Sequence, residues 1–260
     1  MKKYSKLLFL FLLTCSLFAI LGSTVFAANE VSWYFKKNNE HKQPLLDPPL
    51  EFINKYSCYY VDKAHGNESE DKVIYLTFDA GYENGNVEKI LDVLKERNVK
   101  GAFFVLGHLI NNNTDLVIRM SEEGHLVCNH TVSHKNMSVV SDESVFIKEL
   151  QALEMIYQEK TGKIMPKYYR PPEGRISESN LQILEKYGYK TILWSFAYAD
   201  WDNEKQMSPE KALEKLINGV HNGEILLLHP TSATNAEILG AFIDDCIAKG
   251  YRFGTLDELG

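Results

Sequence analysis

Residues 225–230 of the chain read ILLLHP, so four apolar residues in a row are followed directly by a histidine. A strand with one face in solvent alternates polar and apolar side chains, whereas a strand without polar positions is buried on both faces. Both faces of a sheet are covered when its strands run parallel and helices connect them. The segment therefore predicts an α/β fold with a parallel sheet or barrel.

The same pattern recurs along the chain, where short β-branched and aromatic runs alternate with longer segments of helical period. The predicted strands are 73–78, 102–106, 125–129, 168–170, 191–196, 225–228 and 252–255. The predicted helices are 86–97, 115–123, 143–160, 178–187, 209–218 and 236–249. Three of these helices follow residues that are typical helix starts, namely Ser141, Ser177 and Ser208. Seven strands alternating with helices predict a run of βα units.

The 260 residues divide into three predicted parts. Three lysines precede an uncharged apolar run, which predicts a secretory signal peptide at 1–27, although the run is also long enough to span a bilayer if it is not cleaved. Residues 28–71 contain three prolines and little periodicity, and we expect an irregular arm that packs on the barrel. Residues 72–260 form the predicted barrel domain.

Charge and cysteine content exclude some classes of protein. The net charge is -7 and becomes more negative when the lysines of the signal peptide are removed, so nucleic acid is a poor partner. The remaining cysteines, Cys58, Cys128 and Cys246, form no CxxC pair. They predict buried apolar side chains and no disulfide framework.

Ionisable residues follow the predicted strands, at the end where parallel α/β folds carry their active sites. These residues are Asp79, His130, His134, Arg170, Asp200 and His229. His130 and His134 would share one face of a helical turn and could bind one metal ion there, but this spacing alone is equally consistent with solvated or core histidines. The convergence of so many ionisable groups at one end of a barrel favours an active site.

The motifs resemble, in order, those of the polysaccharide deacetylases of the NodB-homology type over about residues 72–258. They are TFDAG at 77–81, HTVSH at 130–134, RPPEG at 170–174, DW at 200–201 and LLH at 227–229. The resemblance implies a distorted (β/α) barrel of seven strands. It also implies a general base (Asp79) with its partner (Arg170), two metal ligands (His130, His134), a general acid (His229) with its orienting carboxylate (Asp200), and walls of the acetyl pocket (Trp201, Leu227).

One position departs from the motif, because Ala80 stands where the wider family has a metal-ligand aspartate. A divalent metal ion, zinc first, would then be held more weakly. The extended string TFDAGYENG at 77–85, with WYFKK at 33–37 and RPPEG, resembles one branch, the δ-lactam-biosynthetic de-N-acetylases of spore cortex formation. Members of that branch commonly lack this aspartate.

The branch implies a substrate and a location. It implies de-N-acetylation of N-acetylmuramic acid in peptidoglycan already stripped of its stem peptide, leading to muramic δ-lactam. The export signal is consistent with a site in the cell envelope or spore cortex region. We expect a monomer acting on glycan strands, with Glu173 as a candidate glycan contact and a solvated loop residue as its alternative.

The chemistry can also be argued from the residues alone. Amide hydrolysis needs an activated water, a stabilised oxyanion and a proton for the departing amine. Asp79, kept ionised by Arg170, is suited to take the proton of the water, and a protonated His229 held by Asp200 is suited to supply the last proton. The alternatives are a catalytically weakened glycan-binding protein and a glycosidase that uses Asp79 and Asp200 as its carboxylate pair.

Overall fold

The computed structural model describes residues 29–37 and 40–259, so the predicted signal peptide lies outside the described residues. In those two ranges, no helix is both long and apolar enough to cross a membrane. The strands are β1 (Val31–Ser32), β2 (Cys58–Tyr59), β3 (Lys72–Ala80), β4 (Ala102–Val105), β5 (Leu126–Asn129), β6 (Tyr168–Tyr169), β7 (Arg175–Ile176), β8 (Lys190–Ile192), β9 (Glu224–Leu228) and β10 (Tyr251–Phe253). The helices are α1 (Val87–Glu96), α2 (Gly107–Asn112), α3 (Thr114–Glu122), α4 (Glu143–Thr161), α5 (Glu178–Lys186), α6 (Pro209–Gly219) and α7 (Ala233–Ala248), with 3-10 helices at Pro48–Lys55, Pro172–Gly174 and Leu256–Glu258.

A curled parallel sheet forms the body of the protein. Its strand order is β10-β3-β4-β5-β6-β8-β2, and β9 also pairs with β3. Beyond β8 the chain stays close to β9, because Ser195 N donates to Ile225 O at 3.0 Å and Leu227 N donates to Phe196 O at 2.9 Å. The seven predicted strands are confirmed as β3, β4, β5, β6, β8, β9 and β10, and they curl into a distorted half-barrel.

Strand β3 is buried on both faces, as its apolar sequence predicts. Ile74, Leu76, Phe78 and Ala80 belong to the cluster that packs against the helices. Tyr75, from the other face, packs with strand residues of the barrel interior. Each fully buried aliphatic or aromatic side chain of this kind contributes about 1.5–3 kcal/mol to folding. The result is a rigid strand whose end carries Asp79.

The helix starts follow the predicted signals in part. Ser177 accepts a hydrogen bond from Asn180 N and caps α5, as predicted. The prediction for α4 is wrong by one residue, because Asp142 is the cap and its carboxylate accepts from Val145 N at 3.0 Å. Helix α2 was not predicted, since six residues are too few to show a helical period.

The arm is less irregular than its sequence indicates. Strand β1 pairs antiparallel with β7, and β2 adds an eighth strand to the sheet by pairing parallel with β8. Trp33 Nε1 donates to the carbonyl of Trp194 at 2.9 Å, which joins the arm to the wall of the cleft described below. The three cysteines of the described chain, Cys58, Cys128 and Cys246, are buried, as predicted, and all three are free thiols.

Candidate active site

A cleft of about 830 Å³ lies at the carboxyl ends of the strands. Seven of the nine predicted site residues line it, and they are Asp79, His130, His134, Glu173, Trp201, Leu227 and His229. Arg170 and Asp200 are buried behind the cleft and hydrogen-bond to residues that line it. The structure therefore brings the whole predicted set together around one cavity.

Arg170 fixes the carboxylate of Asp79 from behind. Its guanidinium is not exposed, and Nη1 donates to Asp79 Oδ1 at 2.8 Å while Nη2 donates to Thr77 Oγ1 at 2.8 Å. The group also donates through Nε to Ile192 O and stacks over the ring of Phe104. Burial acts to raise the pKa of Asp79, but the charge and hydrogen bond of Arg170 and the electrostatic effects of His130 and His229 together outweigh it, so the pKa lies below its usual value. The carboxylate is therefore ionised at neutral pH.

His130 presents one nitrogen to the cleft in a neutral ring. Its Nδ1 lies 2.9 Å from the carbonyl of Arg170, so Nδ1 carries the proton and donates it, and Nε2 keeps its lone pair. That Nε2 lies 3.5 Å from Asp79 Oδ2. Burial lowers the pKa of His130 to about 4, which keeps the imidazole uncharged and able to bind a cation.

His134 lies next to His130 but not on a helical turn, and that expectation was wrong. Thr131 and His134 have φ values of 73° and 58°, in the left-handed region that a helix does not use. The loop is held by Thr131 Oγ1, which accepts a hydrogen bond from His134 N at 2.9 Å. The two imidazoles still approach each other, with ring centroids 4.9 Å apart and edge-to-face rings, and His134 is exposed to the cleft.

The imidazoles of His130 and His134 are chemically suited to bind a divalent cation, although few other side chains could act as ligands. Imidazole nitrogens suit zinc and neighbouring transition metals. Over the described ranges, no group of three or more His, Cys, Asp or Glu side chains is arranged to hold a metal ion. Ala80, where the family motif has a carboxylate, places a fully buried methyl group in the helix-facing cluster. His130 and His134 would therefore hold such an ion by two imidazoles.

On the other side of the cleft, Asp200 holds His229. The carboxylate accepts from His229 Nδ1 at 2.7 Å and from the backbone N of His229 at 2.8 Å, and it is almost fully buried. Burial acts to lower the pKa of His229, but the hydrogen bond and charge of Asp200, together with the charge of Asp79, outweigh it and raise the pKa. Since Nδ1 is engaged, Nε2 is the nitrogen that can serve a substrate in the cleft.

The three remaining predicted site residues line the walls of the cleft. Leu227, in β9, is buried, whereas Trp201 is 62% exposed and its ring lies edge-to-face with His229 at 6.2 Å. Glu173 has a left-handed backbone, with φ 56°, and its carboxylate pairs with Arg175 Nε at 2.7 Å. Glu173 therefore faces the cleft with its charge already partnered.

Two residues that sequence reasoning did not single out complete the site. Asn235 donates to Asp200 Oδ2 at 2.6 Å, and the hydroxyl of Tyr198 donates to Asn235 Oδ1. The position of Asn235 in the sequence could have indicated this role, because it lies in the first turn of α7, the helix that follows His229. Side chains in that turn lean back toward the end of the preceding strand.

Three comparisons with known proteins show what this chain is similar to. A family model described as polysaccharide deacetylase matches residues 66–192. Peptidoglycan-N-acetylmuramic acid deacetylase PdaA of Bacillus subtilis is 39% identical over 88% of this chain and 85% of its own length, and an uncharacterized 30.6 kDa protein of Geobacillus stearothermophilus is 41% identical over 98% and 95%. The solved structure of Bacillus subtilis PdaA, described as a family 4 carbohydrate esterase, superposes with a TM-score of 0.83 at 37% identity, covering 89% of this chain and 97% of that one.

Proposed function

Because this chain belongs to the polysaccharide deacetylase family, we propose that it hydrolyses the acetamide group of N-acetylmuramic acid residues in peptidoglycan. The observation that carries the proposal is the pair of groups that meet at one cleft: an ionised Asp79 beside His130, and a His229 whose pKa is raised by Asp200. One is poised to accept a proton and the other to donate one. Amide hydrolysis needs both in a single turnover.

Asp79 is the proposed general base. It takes a proton from water as the water oxygen bonds to the acetyl carbon, and Arg170 keeps the carboxylate ionised and oriented from behind. Thr77 adds to this support because its hydroxyl donates to Leu226 O at 2.6 Å and accepts from Arg170. Arg170 and Thr77 thus hold the carboxylate of Asp79 in place before substrate binds.

His229 is the proposed general acid. When the carbon–nitrogen bond of the tetrahedral intermediate breaks, Nε2 of the imidazolium delivers its proton to the sugar nitrogen, and acetate and a free amine are released. Asp200 holds the opposite nitrogen of the ring and stabilises the imidazolium form. Trp201 and Leu227 line the cleft next to His229, where they would enclose the methyl group of the acetamide.

A divalent cation held by His130 and His134 would polarise the acetyl carbonyl and stabilise the negative charge that develops on its oxygen. The hydrogen bond from His130 Nδ1 to the carbonyl of Arg170 orients the ring for this role, in the manner of partners that orient metal-bound histidines. Two imidazole ligands suit zinc. Because Ala80 supplies no carboxylate ligand, we expect the metal affinity to be lower than that of a site with three protein ligands.

The proposed substrate is N-acetylmuramic acid without a stem peptide, in the glycan strands outside the cytoplasmic membrane, and its product leads to muramic δ-lactam in spore cortex. Similarity to the peptidoglycan-N-acetylmuramic acid deacetylase PdaA of Bacillus subtilis supports the sugar, and the predicted signal peptide supports the location. The absence of a stem peptide and the link to spore cortex rest on the resemblance of TFDAGYENG at 77–85 and WYFKK at 33–37 to the δ-lactam branch. Peptide polar groups brought into the cleft would have to be desolvated, and those without partners would oppose binding. We expect chitin-type oligomers, which lack the lactyl group, to be poor substrates.

The test is incubation of the mature protein with zinc and three glycans: peptide-free cortex-type glycan, peptide-bearing peptidoglycan and a chitin oligomer. Free acetate, glycan chain length and retention of the protein on the glycan are measured together, with Asp79→Asn as the control that we expect to be inactive. Acetate from the peptide-free glycan alone, with its length unchanged, is the expected result. Binding without acetate would identify a glycan-binding protein, shortened glycan would identify a glycosidase, and equal rates on peptide-bearing material would overturn the substrate assignment.

A further inference from the structure

The carboxylate of Asp200 receives a third hydrogen bond from outside the cleft. His229 supplies two donors, its Nδ1 and its backbone N, and Asn235 Nδ2 supplies the third at 2.6 Å. Oδ2 takes the backbone and Asn235 bonds, which leaves Oδ1 for the imidazole. The third donor therefore settles which way the carboxylate faces.

The side-chain amide of Asn235 is itself fixed. Its Oδ1 accepts from the hydroxyl of Tyr198, and its Nδ2 also donates to the carbonyl of His229 at 3.1 Å. Exchanging the two ends of the amide would set its oxygen against two other acceptors, Asp200 Oδ2 and the carbonyl of His229, so only one orientation satisfies all partners. Asn235 is fully buried and is not among the residues that line the cleft. It cannot touch a substrate there.

We propose that Asn235 is a positioning residue for the reaction: acting through Asp200, it holds the imidazole of His229 with Nε2 toward the cleft. The inference rests on the proposed role of His229 as general acid. It differs from a structural role, because the helix that carries Asn235 is already capped by Ser232, whose hydroxyl accepts from Asn235 N at 3.1 Å. The side-chain amide is not needed to begin the helix.

Removing the amide would leave the orientation of a buried carboxylate undetermined. Asp200 Oδ2 would keep only the backbone donor of His229, and the carboxylate could rotate away from the imidazole. The charged groups that act on His229 are Asp200, Asp79 and Arg170, and Asn235→Leu alters none of these charges. A change in the titration of His229 in that variant would therefore report the geometry of Asp200.

The test compares Asn235→Leu with a matched control, Asn180→Leu. Asn180 is also buried, lies in the first turn of α5 with its N donating to Ser177 Oγ, and directs its amide to Val140 O instead of the active site. We expect Asn235→Leu to lower kcat on peptide-free cortex glycan by about 10- to 100-fold, as for other partners that orient catalytic groups, with little change in KM. Asn180→Leu should lower stability alone.

The second readout is the titration of the His229 ring, followed by NMR of protein labelled with 15N-histidine and assigned with His229→Gln. It should move to lower pH in Asn235→Leu and stay in place in Asn180→Leu. If Asn235→Leu does not fold, Tyr198→Phe, which removes the hydrogen bond to Asn235 Oδ1 and so loosens the amide, should give a smaller shift in the same direction. An unmoved titration in the folded variants would overturn the proposal, whereas a shift in a protein that releases no acetate would support the positioning and refute the proposed function.

Discussion

Arg170 donates a 2.8 Å hydrogen bond to Asp79 from a position that solvent does not reach. Removing one partner of a buried ion pair leaves the other charge without compensation, so Arg170→Met should lower the free energy of unfolding by about 3–5 kcal/mol. Adding Asp79→Asn should recover part of this loss, because the uncompensated charge is then gone. Urea unfolding of the wild type, both single variants and the double variant measures the coupling. Strictly additive losses would show that the two side chains do not interact.

The proposed acid predicts a pH dependence with a definite sign. The pKa of His229 is raised by Asp200 and Asp79 against the effect of burial, so the acid is protonated below that pKa and is lost as pH rises through it. Asp200→Asn removes the main compensating charge, and the alkaline limb of the pH–rate profile should move to lower pH while kcat falls. Asp202→Asn, a half-exposed carboxylate two residues along, makes the same charge change as a control. If both variants keep the wild-type alkaline limb, another group supplies the proton.

The proposed metal site of His130 and His134 predicts that removing one imidazole lowers the zinc content without unfolding the protein. His134 is exposed, so His134→Ala should change the free energy of unfolding by no more than about 0.5 kcal/mol. Its loss leaves one imidazole, and zinc retained through dialysis should fall to the background measured by elemental analysis. Ser133→Ala, at the exposed position before it, should retain zinc as the wild type does. Equal zinc in the two variants would remove His134 from the metal site.

Replacing Ala80 by aspartate should make the stability of the protein depend on bound metal. Its methyl group is fully buried, so Ala80→Asp should lower the melting temperature in the absence of metal, since the new carboxylate loses its hydration. The family motif has a metal-ligand aspartate at this position, so we expect the new carboxylate to turn from the helix-facing cluster toward the cation. Added zinc should then restore much of that loss and bind more tightly than to the wild type, because the cation gains a third protein ligand.

Ala80→Asn, which has the same shape without the charge, should be destabilised without such a recovery. Calorimetric zinc titration and thermal melts of all three proteins check this expectation. A zinc response no larger in Ala80→Asp than in Ala80→Asn would mean that position 80 does not reach the cation.

The sequence predicted the strands and the convergence of the site for the same physical reason. Parallel strands end at one edge, so polar residues that follow buried runs, such as Asp79 and His229, meet there whatever the details of the helices. The path of a loop is not contained in such a pattern. His130 and His134 have helical spacing, yet Thr131 and His134 have left-handed backbones, and the hydrogen bond that Thr131 Oγ1 accepts from His134 N supports that path.

Residues that orient a catalytic side chain without touching the substrate could not be predicted from the sequence either. Asn235 and Tyr198 come from different elements, and their roles depend on a hydrogen bond between side chains 37 residues apart in sequence. The strands of the arm were missed for a related reason. Strands β1 and β2 have two residues each, too few to show alternation, and they exist because β7 and β8 offer free edges.

The pairing of the arm with β7 and β8 sets an order of events in folding. Trp33 and the carbonyl that it contacts are 161 residues apart, so the arm has no partner until most of the chain has been made and, if it is exported, translocated. Until then the tryptophan and the edge of β1 are exposed to proteases and to other chains. The wall of the cleft that carries Trp194 can therefore form only after the chain beyond β8 has been made, and a chain cut short before β8 has neither that wall nor the strand edge on which β2 pairs.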